Sequence, residues 1–303
     1  ASATGSVASS RTGPQDLRRG MAGATGNESV SRFISMGLPP VLHPKLDGSE
    51  DALCNVYIPM GLTAENVAER EGVSRESQDE WAAISQQRAV AAQEAGHFDT
   101  EIVPVVTPEV ELEDGTKVES KTVTKDDGPR AGTTKEKLAE LKPVFKPDGT
   151  VTAGNACPLN DGAAALLVMS EDRANELGLK PRARVIASAV GALEPEYMGL
   201  GPIPAVRNVL KQAGMTIDDV DIVELNEAFA AQVVPCMEEW GIDAAQLNPH
   251  GGAIALGHPF GMTGARIMTT LLNDLETLDK TIGLETMCVA GGQGQAMLVE
   301  RLS

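Results

Sequence analysis

The 303 residues predict an α/β fold, and two observations carry that prediction. Segments with helical spacing alternate with short apolar runs through the whole last third of the chain, and glycine-bearing loops with polar residues separate them. A chain of this length with 42% hydrophobic residues also buries a large core, shared among two or three subdomains.

Each element follows from local pattern. The first thirty residues show neither a period of 3.6 nor of 2 and read as loop. GLTAENVAER and SRESQDEWAAISQQRAVAAQEAG predict a short and then a longer helix, with Thr63 and Ser74 as N-caps and Gly96 as a stop. EIVPVV and GTKVESKTVT predict short strands in a polar, inserted segment that runs to Gly149. TVTAGNACPLNDGAAALLVMSEDRANELGL reads as strand, loop and buried helix, ended by Gly178 and Pro181, and RARVIASAVG as a strand. Helix AVRNVLKQAG, strand DIVEL, helix EAFAAQVVPCMEEWG, loop NPHGGAIALGHPFG and helix ARIMTTLLNDLE follow. Two strands, GLETMCVA and GQAMLVERL, close the chain, joined through Gly291, Gly292, Gln293 and Gly294.

Charge and cysteine usage exclude several functions. A net charge of -18 repels nucleic acid and anionic membrane surfaces. The longest apolar run, residues 163 to 169, is too short to cross a bilayer, and no basic stretch followed by an apolar one marks the N-terminus, so a cytoplasmic address is expected. Cys54, Cys157, Cys236 and Cys288 form no CxxC pair, which fits reduced thiols better than a disulfide framework or a zinc site. Between residues 116 and 146 basic side chains outnumber acidic ones. That island is either an exposed mixed-charge face or a landing site for an anionic ligand.

Three polar residues stand at junctions where α/β folds gather their chemistry. Asn226 follows DIVEL, His258 lies between Gly257 and Pro259 ahead of a helix, and Cys288 ends a strand against Ala290, Gly291 and Gly292. Each has a plain structural reading: a helix N-cap, a histidine held by backbone hydrogen bonds, a small buried hydrophobe. Taken together, an amide, an imidazole and a thiol on three loops suit thioester chemistry, because an imidazole activates a thiol and a thiolate removes an α-proton.

These residues sit in segments that resemble a known family. NEAFAAQ, NPHGGAIALGHPFGMTGAR and CVAGGQGQA are similar to the three C-terminal signatures of the thiolases, acetyl-CoA C-acetyltransferases and acyl-CoA C-acyltransferases. MGLTAENVAER, KDDGPRAGT, LKPVFKPDGTVTAGNACPLNDGAAA and MGLGPIPA extend the resemblance from about Glu28 to Ser303, nearest to thiolases of actinobacterial type. The resemblance implies a thiolase fold of two similar βαβαβαββ halves with an inserted loop domain. On it, residues 1–32 are a remnant of the first half, 33–149 the CoA-binding loop domain, 150–180 the return to the first half and 181–303 the second half. It implies that Cys288 is the acid/base cysteine, His258 the catalytic histidine and Asn226 the water-holding asparagine. Arg130, Phe145 and Cys157 fall on positions that contact coenzyme A, and Met60, Met198 and Phe229 near the acyl pocket. Coenzyme A is then substrate and product, no metal or redox cofactor is needed, and a homodimer or homotetramer working in fatty acid metabolism is implied.

The chain also departs from the pattern. The family's acyl-accepting cysteine, in a stretch like CASGLQ, is not among the 303 residues. Counting back from ESVSRF, which resembles the family's GVETVSRF, places that cysteine just ahead of Ala1, so an N-terminally truncated or altered chain is expected. Cys54 lies well past that point, without a glycine or helix-start context to lower its pKa, and does not replace it. Ala290 stands where the family has glycine and is strained only at positive φ; Cys157 and Pro158 replace the common Ser-Gly. The expected activity is acetyl-CoA + acyl-CoA ⇌ 3-oxoacyl-CoA + CoA, impaired for want of the cysteine. The alternatives are a non-catalytic CoA or acyl-CoA binding protein and a non-functional gene fragment.

Overall fold

The computed structural model describes residues 42–112 and 114–302 together with the backbone of Met21–Glu28. Strand β1, Met21–Glu28, lies in the stretch that reads as loop; the remainder of that stretch and most of ESVSRF lie outside the described residues. Helices α1 (Met60–Glu71) and α2 (Arg75–Glu94) follow. The Ser74 side chain accepts the Ser77 N–H and caps α2 as expected. Thr63 does not cap α1: the N-cap is Pro59, and the Thr63 hydroxyl sits one turn inside, bonded back to the Met60 carbonyl. Gly72 closes α1 in the left-handed region.

Strands β2 (Val105–Val106) and β5 (Thr122–Val123), and β3 (Val110–Glu111) and β4 (Lys117–Val118), form two small exposed ribbons, and α3 (Lys135–Ala139) follows. The buried helix expected after Asn160 is instead strand β6 (Gly162–Met169) and the short α4 (Glu171–Glu176), capped by Ser170. An apolar run this short has no decisive period. The antiparallel partner decides it, because β1 pairs with β6 from Met21 opposite Met169 to Glu28 opposite Gly162. The strand expected at TVTAGN reduces to a single bridge between Pro143 and Thr152.

The C-terminal part is a four-stranded sheet in the order β7 (Ala183–Ala192), β10 (Gln293–Arg301), β9 (Ile282–Val289), β8 (Ile222–Leu225). Its β8–β9 pair is parallel and the others antiparallel. The turn between β9 and β10 holds Ala290, Gly291 and Gly292, while Gln293 and Gly294 already belong to β10. Helices α5 (Pro202–Ala213) and α6 (Ala230–Trp240) cover one face. There Val206, Val209, Val223, Val233, Leu284 and Leu298 pack into one core. Short α7 (Ala253–Leu256) leads to α8 (Thr263–Thr277) on the other face, where Ile222, Met268, Leu271, Leu275 and Val299 meet. The period of two along β8 and β10 splits neighbours Ile222/Val223 and Leu298/Val299 between the two cores. Each fully buried aliphatic side chain contributes about 1.5–3 kcal/mol, so the sheet is a stiff floor for the loops at its end.

Candidate functional site

Parallel pairing brings two of the three junction residues to one end of this sheet. Leu225 lies opposite Thr286, the Asn226 N–H donates to the Thr286 carbonyl at 3.0 Å, and Cys288 is two residues further along β9. Asn226 is not a helix N-cap. Helix α6 begins at Ala230 after an extended Phe229. Phe229 is held extended by a bridge to Ala156: the Cys157 N–H donates to the Ala228 carbonyl and the Ala230 N–H to that of Asn155. The Asn226 side chain is fully buried, and neither its oxygen nor its nitrogen has a hydrogen-bond partner. A buried amide costs about 1–3 kcal/mol when left unpaired, which sets this side chain apart from its neighbour Glu227.

Cys288 is buried and its thiol donates to Gln232 Oε1 at 3.5 Å, with Gln232 Nε2 left unpartnered. Burial pushes the thiol up to about 11, so at neutral pH it carries its proton. Cys288 forms one cluster with Met198 and Ala228, and Met60, Cys157 and Phe229 pack against it. Four of the six residues expected to contact substrate therefore surround this thiol. Phe145 meets Phe229 edge to face, with ring centroids 6.1 Å apart, and its ring covers Gly61, where a Cβ would lie 2.2 Å from it. Cys157 is pushed up to about 12, by burial and then by the neighbouring Cys288.

Arg130 is not brought into the cluster. Its side chain is exposed, and its N–H donates to Gln86 Oε1 at 2.8 Å while Gln86 Nε2 donates to the Ile254 carbonyl. The KDDGPR loop thus lies against α7, close enough that a Cβ on Gly128 would stand 2.2 Å from the Ala255 oxygen. Lys117, Lys121 and Lys125 are exposed as well, so the basic island is a solvated face beside that loop.

His258 follows Gly257, whose φ is +91° and where a Cβ would stand 2.3 Å from Asn160 Oδ1. Its Nδ1 lies 2.7 Å from the Thr263 hydroxyl, which is also 2.8 Å from the Pro259 carbonyl. A side-chain hydroxyl, not backbone, therefore holds the ring. The hydroxyl has one hydrogen: given to Pro259, it leaves Nδ1 protonated and Nε2 a base; given to Nδ1, it leaves Nε2–H a donor. Burial, then the charge of Arg266, pushes the imidazole down to about 3, so it is neutral at pH 7.

Glu227, which sequence reasoning passed over, organises the surroundings. Its buried carboxylate accepts from Trp81 Nε1, the Ser85 hydroxyl, Asn248 Nδ2 and the Ile254 N–H at 2.6–3.2 Å. Asn248 also clasps the Leu225 backbone at both N–H and C=O. The knot joins α2, the end of β8 and the loop that carries His258. The only sequence signal was an acid beside Asn226 in an otherwise apolar stretch. Ala290 is unstrained, since Asn248 and Asp279 are the non-glycine residues with positive φ among those described. Cys54 lies in a surface loop ahead of α1.

With this geometry in place, comparison with known proteins is specific. Residues 44–172 match the family described as thiolase, N-terminal domain, and residues 179–301 that described as thiolase, C-terminal domain. An acetyl-CoA acetyltransferase of Allochromatium vinosum is 49% identical over 257 residues, 85% of this chain and 63% of that protein. One of Pseudomonas aeruginosa is 46% identical over 301 residues, 95% of this chain and 75% of the other. The crystal structure of the Bacillus anthracis acetyl-CoA acetyltransferase superposes with a TM-score of 0.81 at 39% identity, covering 93% of this chain and 72% of that one. The chain spans about three-fifths of the length of several of these curated relatives.

Proposed function

We propose, for a chain that belongs to the thiolase family and has its α/β fold, the acyl transfer acetyl-CoA + acyl-CoA ⇌ 3-oxoacyl-CoA + CoA as the chemistry of the site. One observation carries it: the ends of β8 and β9 present a buried, unpartnered Asn226 amide and a protonated Cys288 thiol within a cluster of methionine, alanine and phenylalanine. A thioester methyl group placed there meets an acid/base sulfur and a polar anchor for its oxygen.

In this reading Asn226 holds a water that, with His258 Nε2–H, receives the charge developing on the thioester oxygen. Cys288 protonates the leaving carbanion in thiolysis and, as thiolate, removes the α-proton in condensation. The other His258 tautomer takes the proton of an attacking thiol. Met60, Met198 and Phe229 enclose the acyl group, Phe145 and Cys157 line the approach of the pantetheine arm, and Arg130 meets the anionic end of coenzyme A. The segment 33–149 then serves as the CoA-binding domain between 1–32 and 150–180, with 181–303 as the second half. Assembly as a homodimer or homotetramer and work in the cytoplasm belong to the same proposal. Among the described residues no helix is long and apolar enough to cross a membrane.

A second reading has its own observation. Burial keeps both Cys288 and Cys157 protonated, so a CoA or acyl-CoA binding protein without acyl-enzyme turnover is the competitor. Exchange of acetyl-CoA methyl protons with heavy water, followed by NMR, needs Cys288 and the oxygen-binding groups but no acyl-cysteine. Exchange above buffer, with or without CoA-dependent loss of acetoacetyl-CoA, supports the catalytic reading. CoA binding with neither reaction sinks it and leaves the binding protein.

A further inference from the structure

We propose that His97, His250 and Asp274, joined by Glu101, form a binding site for a divalent first-row transition-metal ion that clamps the end of α2 to the C-terminal sheet. The site is separate from the thioester site and does not rest on the reading given above.

The ligands come from three places. His97 opens a single 3-10 turn, His97–Thr100, just after α2; His250 lies in the NPHGG loop; Asp274 lies on α8. One donor atom from each lies within 4.8 Å of the others. His250 Nδ1 is 2.6 Å and His97 Nε2 3.0 Å from the same Asp274 oxygen, and the two rings stack with centroids 3.6 Å apart. Imidazole with carboxylate is the donor set of zinc, cobalt and nickel rather than of magnesium or calcium.

Unpartnered atoms at the cluster point to a guest. Glu101 Oε1 and Asp274 Oδ2 are buried without a hydrogen-bond partner, while His97 Nε2 lies 3.0 Å from Asp274 Oδ1. Thr270 donates to Glu101 Oε2 at 3.0 Å, which fixes the carboxylate and leaves Oε1 free, 3.9 Å from His97 Nε2. Metal–nitrogen bonds of about 2.0–2.1 Å set tetrahedral donors about 3.3 Å apart, so the stacked rings must turn out of parallel for both nitrogens to face one ion. Buried Glu224 feels the charges of Asp274 and Glu101 and of the Arg266 guanidinium, and its two oxygens have no hydrogen-bond partner; a divalent cation offsets the excess of carboxylates. The His250 side chain is 20% exposed and gives a way in.

The test uses the purified 303-residue chain, stripped with a chelator and titrated with Co2+ and then Zn2+. Expected are one saturable Co2+ per chain with a ligand-field spectrum of nitrogen and oxygen donors, displacement by Zn2+ and a higher melting temperature. His97→Gln and His250→Gln should each weaken Co2+ by about a hundredfold or more, at or beyond the 10–100-fold cost of losing an outer partner, with far-UV circular dichroism unchanged. Because Asp274 holds His97 above its ordinary value, affinity should fall as pH drops through that raised value. No stoichiometric binding of either ion by the folded, unsubstituted chain, or binding unchanged in both variants, would overturn the site. If the variants fail to fold, paramagnetically shifted imidazole resonances in the Co2+ form decide: two shifted rings support it, none refutes it.

Discussion

Asn226 and Glu227 are neighbours in the chain and opposites in the fold. Both are fully buried at the end of β8. Glu227 accepts four hydrogen bonds from α2 and from the loops around it, whereas both polar atoms of the Asn226 side chain have none. The first is held by protein on every side, and the second is the one the proposed chemistry uses.

The comparison breaks in measurable ways. Cys288→Ala should lower methyl-proton exchange of acetyl-CoA by about 10²–10⁴-fold, the usual contribution of a positioned acid/base group, while the denaturant midpoint stays close to its original value. Glu227→Ala should do the reverse in kind: stability falls by about 3 kcal/mol or more in urea titration, because four donors lose their acceptor. Asn226→Ala, one residue away, should cut exchange by about a hundredfold and leave stability unchanged or improved, since no hydrogen bond of its side chain is lost. A large loss of stability in that variant would show the amide to be structural after all. The smallest effect is a slope. Burial holds Cys288 near 11, so the thiolate fraction, and with it the rate of alkylation read by mass spectrometry, should rise about tenfold per pH unit from 8 to 10. A plateau below pH 8 would mean that the thiol is ionised in its resting state.

A pH dependence of stability follows at the His97 cluster. His97 is raised above 6.5 chiefly by its contact with Asp274, so its contribution is fully present below 6.5 and is lost as pH rises through the raised value. Burial pushes Asp274 up, but the hydrogen bonds and charges of His250 and His97 outweigh it and hold the carboxyl below 3.8. Its share is present above 3.8 and is lost as pH falls through the lowered value.

Local pattern made much of this legible. Ser74 as a cap, the helical spacing of α8 and the alternation of β9 and β10 are written in neighbouring residues, and their elements form where expected. The candidates Cys288 and Asn226 were legible because polar side chains stand where apolar strands end. Other features were not. GAAALLVM is a strand because β1 pairs with it, and α6 starts at Ala230 because a bridge to Ala156 holds Phe229 extended.

The sequence by itself determined the alternation of helices and strands in the last third, the Ser74 cap of α2, and which thiol, imidazole and amide stand where strands and glycine-bearing loops meet. Only the tertiary structure decided that Glu227 ties Trp81 to Asn248 and Ile254, that one hydroxyl governs the tautomer of His258, and that His97 stacks on His250. The reason is physical. Periodicity and capping act over a few residues, whereas the partners of the buried Glu227 carboxylate stand from 21 to 146 positions away, and they meet only once the core has closed.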